Sequence, residues 1–359
     1  MTSGELMRNA NTEKVQPRSR QPWPVFRRAW WLIWLFVPLL LWWTLRQVPL
    51  AETLVALRGL RGWQIALLLA LNTLVLLGMA ARWRVLTGGM GLKISLKDLA
   101  AYRLASFGVS YFTPGPQFGG EPLQVYLLAR SHHTGTPAAV SSVFLDKLLE
   151  ILANLLFLTI GVVLIVLSDL LGGFNAGIWL AAGLTLALPA AHLAALWRGK
   201  RPVTWLLSRI PHPRFLRARS LADQAESQIA ALCVARPGVL ALGIIISGAV
   251  WLAVLAEYLL MARFLGIPLN LSRGMIALTL AQFAFLMPLP GGLGALEASQ
   301  VLAMQLLGFN PALGLSISLL IRARDVLFGG AGLVLGGWLA RRLAANAARE
   351  NTDQSLHVL

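Results

Sequence analysis

Residues 146 to 154 read DKLLEILAN inside a segment otherwise built of apolar residues. Asp146, Glu150 and Asn154 recur at i, i+4 and i+8, which makes one polar stripe on a helix, and Lys147 stands three residues before Glu150. Ser318, Arg322 and Asp325 form a corresponding stripe in a later apolar segment, continued by Gly329, Gly332 and Gly336. Such groups can carry protons, hold an anionic or zwitterionic ligand, or pair with one another. Lys147 with Glu150 and Arg322 with Asp325 are the pairs that spacing alone suggests. Arg324 points to another side of its helix, where gluing or interfacial placement is expected. The glycine continuation reads as tight helix packing.

Two further acids follow breaks rich in proline and glycine. Glu121 comes after Pro114, Pro116, Gly119 and Gly120 and just before Pro122; Glu297 comes after Pro288, Pro290, Gly291, Gly292 and Gly294. Proline suits the first turn of a new helix, and glycine permits sharp reversal of the chain. Each break therefore offers a helix N-terminus, whose free N–H groups and partial positive charge can hold a phosphate or carboxylate. The alternative is that each glutamate caps its own helix, and the residues leave both readings open.

The elements that carry these groups belong in lipid. Of 359 residues, 57% are hydrophobic and 13% charged, against a quarter charged in ordinary soluble domains. Runs such as WQIALLLALNTLVLLGMAA from Trp63 and GVLALGIIISGAVWLAVLAEYLLMA from Gly238 approach the ~20 residues that a helix needs to cross a bilayer. Ionisable groups at that depth are costly, so they face a cavity or pair. The net charge of +16 lies at the ends of apolar runs, which points to anionic headgroups and membrane orientation and excludes nucleic acid as a partner. One cysteine, Cys233, and five histidines without i, i+4 pairing give no metal site, and no cofactor motif is found.

Charge asymmetry sets the topology. Residues 1–28 read as an Arg-rich cytoplasmic tail rather than a signal peptide. A first span, about Trp30 to Leu45, leads out, and a second, about Trp63 to Ala81, returns to a loop carrying Arg82, Arg84, Lys93 and Lys97. The broken stretch at 99–130 is too short on either side of its break to span, and predicts a re-entrant hairpin. Spans follow at about Pro137 to Leu167 and Ile178 to Trp197. Residues 198–236 make a basic cytoplasmic linker, in which Leu221, Ala225, Ile229 and Leu232 recur at helical spacing as on a helix lying on the headgroups. The second half, 237–342, repeats span, hairpin (273–307) and span, before a tail at 343–359. The fold is all-α: about six spanning helices and two re-entrant hairpins, with both termini inside.

FTPGPQFGGEPLQV from Phe112 and FLMPLPGGLGALEASQV from Phe285 share an aromatic, Pro-x-Pro, glycines, Glu and a Gln-Val step. With the opposite orientation of the two halves, this predicts an inverted repeat.

TPGPQFGGEPLQVYLL, LDKLLEIL, PLPGGLGALEA and LLIRARDVLF together resemble the lysylphosphatidylglycerol synthase transmembrane-region family, the flippase-like domain of bacterial multiple-peptide-resistance proteins. The likeness runs from about Arg27 to Arg342. It implies a lipid-handling protein of the bacterial cytoplasmic membrane, with Glu121, Lys147, Glu297 and Arg322 at the motif positions. Gln124 stands where the family often has Arg, and Lys147 where Arg is common, which leaves the headgroup open. The short tail leaves no room for the family's aminoacyl-transferase domain. The expectation is a non-enzymatic flippase or scramblase-like carrier of an anionic or zwitterionic phospholipid, passive or coupled to an ion gradient through Asp146, Glu150 or Asp325. The alternatives are a membrane-embedded headgroup transferase, with Glu121 or Glu297 as base, and a non-transporting partner of a separately encoded lipid-modifying enzyme. A homo-oligomer is compatible with each.

Overall fold

The computed structural model describes residues 55, 57–113, 119–168, 176–209 and 216–356. The N-terminal tail, the span expected from Trp30 to Leu45, and Pro114 and Pro116 lie outside the described residues. Within them the chain is helical and no strand occurs. The helices are α1 (Gly62–Gly89), α2 (Leu96–Phe112), α3 (Glu121–His132), α4 (Thr136–Leu167), α5 (Ala176–Trp197) and α6 (Pro202–Ser208). The chain continues through α7 (Leu216–Ala235), α8 (Pro237–Phe264), α9 (Leu271–Leu286), α10 (Ala295–Leu306) and α11 (Pro311–Leu356). Among the described helices, α1, α4 and α8 are long and apolar enough to cross a membrane. Leu74 on α1 and Ile245 and Leu252 on α8 turn outward, as a lipid-facing surface requires. The chain is an all-α membrane protein.

Local chemistry sets the helix starts. Ser95 caps α2 by accepting from the Asp98 amide at 3.1 Å, and Asn270 caps α9 by accepting from the Arg273 amide at 2.9 Å. Gly291, with φ of +53°, occupies the left-handed region in the break between α9 and α10, and a side chain there would meet the Tyr111 ring. The same step along the sequence that carries Ser95 to Asn270 carries Gly62 to Pro237, Gly89 to Phe264 and Thr136 to Pro311, so the helices of the two halves match nearly end for end.

α1 and α8 pack antiparallel. Trp63 meets Phe264 edge to face at 5.4 Å at one end, and Gly89 faces Val239 at the other. α11 crosses α2 so closely that a Cβ on Gly332 or Gly108 would strike the backbone of the facing helix, and Gly336 rests on Ala105. The glycines of the last helix thus serve packing, as expected. On the other side Gly161 of α4 meets Thr279 of α9. The long helix after the break in each half therefore lies across the first limb of the other half's broken pair.

Two boundaries differ from the sequence reading. α1 continues about two turns past Ala81 to Gly89, so Arg82 belongs to a helix rather than a loop. α11 runs on through the segment assigned to a tail. On α7 Ala225, Ile229 and Leu232 are buried, the last two packing with Cys233 against Leu86, Leu145, Leu149 and Leu196. That stripe covers the bundle, while Trp205 and Leu206 of α6 and Leu216 and Val234 of α7 are exposed apolar groups nearby. Glu226 of α7 fixes α6 by accepting from the amides of Val203 and Thr204 at 2.8 and 2.9 Å.

Candidate functional site

α4 carries its polar stripe into the protein, where cations from two other helices meet it. Arg82 of α1 is only 2% exposed; its Nε lies 2.7 Å from Asp146 Oδ1 and its Nη2 3.2 Å from Glu150 Oε2. Arg103 of α2 completes the cluster, with Nη1 2.5 Å from Asp146 Oδ2 and Nη2 against Glu150. Lys147 Nζ pairs with Glu150 at 2.7 Å, as spacing suggests, and with Glu121 at 3.1 Å. Three cations face three carboxylates. This closes the charge account, since buried ions persist only when paired.

Glu121 joins the cluster while bracing the break before its helix: Oε2 accepts from the Gly119 amide at 2.8 Å, and Oε1 faces Lys147. Glu297 repeats the arrangement. Its Oε2 accepts from the Gly294 amide at 2.8 Å, and Oε1 pairs with Arg322 Nη2 at 2.7 Å. Of the two glutamates, Glu297 caps its own helix, and each uses its other oxygen to hold a cation. Arg322 also donates to the Gly291 carbonyl at 2.7 Å and to the Tyr111 hydroxyl at 3.2 Å.

The expected pairing of Arg322 with Asp325 is not formed. Asp325 is held by its neighbour Arg324, whose Nη2 lies 2.8 Å from Oδ1 and whose Nη1 lies 2.9 Å from Glu257 Oε1. Arg324 thus sits within the bundle. Its pull toward Glu257, on another helix, decides its direction.

These groups surround a cavity of about 260 Å³ between the two halves. Glu121, Asp146, Lys147, Glu150, Asn154 and Asp325 line it, together with Arg82, Arg103, Glu257 and Arg324. Asn154 Oδ1 is buried there with no hydrogen-bond partner among the described residues. Glu297 and Arg322 do not line the cavity; they join its wall through the Tyr111 hydroxyl. Sequence reasoning missed Arg82, Arg103 and Glu257. For the last two a signal existed, a lone charge within LAAYRLASFG and within WLAVLAEYLLMA.

The model of the family described as lysylphosphatidylglycerol synthase TM region matches residues 30–332, a stretch that includes every residue of this site. The chain belongs to that family. Among curated proteins, a UPF0104 membrane protein of Methanothermobacter thermautotrophicus is 24% identical over 285 residues, covering 74% of this chain and 82% of the relative. No solved structure matches the chain. The family is described as a membrane region, in keeping with the apolar helices of this member. The paired stripes and capped breaks lie in the part of the chain that the lysylphosphatidylglycerol synthase family shares.

Proposed function

We propose that this chain moves a polar phospholipid between the leaflets of the membrane, as a flippase or scramblase does, without covalent chemistry. The observation that carries this reading is the cavity, whose charged and amide wall is drawn from both halves and set among helices that turn apolar faces outward. A headgroup needs a polar path through hydrocarbon, while its acyl chains stay in the lipid alongside. The start of α3, with Glu121 and Gln124 on the cavity wall, brings N–H groups and partial positive charge to that path, which suits an anionic or zwitterionic headgroup.

The architecture behind this function is an inverted repeat of about six spans and two re-entrant hairpins, with broken helices meeting near the midplane. The constant step between matching helices, the antiparallel packing of α1 on α8 and the reciprocal crossings of α4 and α11 support it. The halves are 29–197 and 237–342, with hairpins at 99–130 and 273–307, a basic linker at 198–236, a cytoplasmic tail at 1–28 and a cytoplasmic extension of α11 beyond 342. The membrane is the bacterial cytoplasmic membrane, with both termini inside.

Vesicles holding a fluorescent phospholipid and the purified chain test the reading. A membrane-impermeant quencher should reach label from both leaflets, where empty vesicles lose only the outer half. Quenching equal to that of empty vesicles across anionic and zwitterionic headgroups, with monodisperse protein, overturns it. A new lipid species in the extract would favour a headgroup transferase. Copurification of a lipid-modifying enzyme with no movement would favour a partner subunit.

A further inference from the structure

The two charge clusters on the cavity wall are related by the same step along the chain, but they are not balanced alike. In the first half Arg82 and Glu150 form a direct pair. The step from Gly62 to Pro237 carries Arg82 to Glu257, and carries Glu150 to Asp325. The matching positions of the second half are therefore two carboxylates, and among the described residues only Arg324 is paired with them. Lys147 is carried to Arg322, whose charge is already engaged by Glu297.

Both acids are deeply buried, Glu257 at 1% and Asp325 at 6% exposure. Glu257 Oε1 lies 2.9 Å from Arg324 Nη1 yet accepts no hydrogen bond, and Oε2 receives only a long contact from Asn72 Nδ2 at 3.4 Å. A second anion beside one guanidinium, inside a membrane helix, has no compensation of its own. An uncompensated buried anion is costly, and a proton is the smallest charge that offsets it. The other charged or titratable groups near the triad are Tyr111 of α2, Arg322 on the same helix, and across the cavity Arg82, Arg103, Lys147, Asp146, Glu150 and Glu121. The last six balance among themselves.

We infer that Glu257, Arg324 and Asp325 form a proton-binding site that holds one proton between its two carboxylates at neutral pH. If the function proposed above holds, this is the proton that couples lipid movement to a pH gradient, since it opens on the same cavity. The proton site itself does not depend on that reading.

Infrared difference spectroscopy of the full chain in lipid nanodiscs, titrated from neutral to alkaline pH, tests it. The wild type should show a protonated-carboxyl band at neutral pH that shifts in heavy water and disappears as pH rises. Glu257→Gln and Asp325→Asn should each lose that band, whereas Glu150→Gln should keep it. Absence of the band in the wild type overturns the proposal, whether or not the variants fold. Survival of the band in both folded variants overturns it as well. Lipid movement is measured on the same preparation: a band that behaves as expected without lipid movement supports the proton site and counts against the flippase reading.

Discussion

Arg82 of α1 donates to Ser247 of α8 at 3.2 Å, and Asn72 of α1 donates to Glu257 of α8 at 3.4 Å. These contacts are one relationship seen twice, because a single step along the chain turns Arg82 into Glu257 and Asn72 into Ser247. Antiparallel packing of matching helices requires such exchange, as at the two-fold interface of a dimer. Here both copies lie in one chain, and the copies have taken opposite charge.

Arg82 should be a strong determinant of stability. Arg82→Met leaves a buried carboxylate without its cation and should cost about 3–5 kcal/mol. Adding Asp146→Asn restores the balance, since Arg103, Lys147, Glu150 and Glu121 remain, and should recover most of the loss. Thermal unfolding of the single and double variants in detergent measures both.

The shared glutamates separate capping from pairing. Glu297→Gln keeps an oxygen for the Gly294 amide but loses the ion pair with Arg322, while Glu297→Ala loses both. A double-mutant cycle of Glu297→Gln with Arg322→Gln should give a coupling of about 1–3 kcal/mol, within the range for residues in direct contact.

The α2–α11 crossing should tolerate no side chain. Gly332→Leu drives a side chain into the Leu104 backbone and should lower stability by about 1–3 kcal/mol or more. Gly330→Ala, on the same helix with open space around it, should stay within about 1 kcal/mol of the wild type. Comparing the melting of the two variants isolates the contact from helix propensity.

On the proposed function, filling the cavity should slow phospholipid movement without unfolding the chain. Val75 lines the cavity on α1, and Val75→Trp should reduce the rate of phospholipid movement roughly tenfold, a barrier change of about 1.4 kcal/mol. An unchanged rate with the variant folded would place the path elsewhere.

Cys233 is fully buried in α7, and burial pushes its thiol up from the ordinary cysteine value. It should resist a maleimide in the native protein at neutral pH and react only on unfolding. Mass spectrometry before and after addition of denaturant reads this directly.

The breaks between helices were legible because proline and glycine are local signals: FTPGPQFGG and FLMPLPGG each mark an interruption, and Glu121 and Glu297 follow from them. Lys147 with Glu150 was legible for the same reason, as a pair within one turn of helix. The partners of Arg322 and Arg324 were not. Spacing assigns Arg322 to Asp325, but Glu297 together with the Gly291 carbonyl offers it more acceptors, and those come from a different segment. Arg82 was hidden by its position at the end of an apolar run, where a charge reads as loop. Its burial depends on α4 and α8 closing over it, which no local pattern encodes.

The crossed limbs have a mechanical consequence. Because α11 is seated on α2 and α4 on α9, each half is clasped by the other through contacts that do not involve the polypeptide joining them. The covalent joint between α6 and α7 then adds continuity rather than cohesion. A chain cut between Ser208 and Leu216 should stay together as one particle, its two fragments interlocked like hooked fingers and parted only by unfolding.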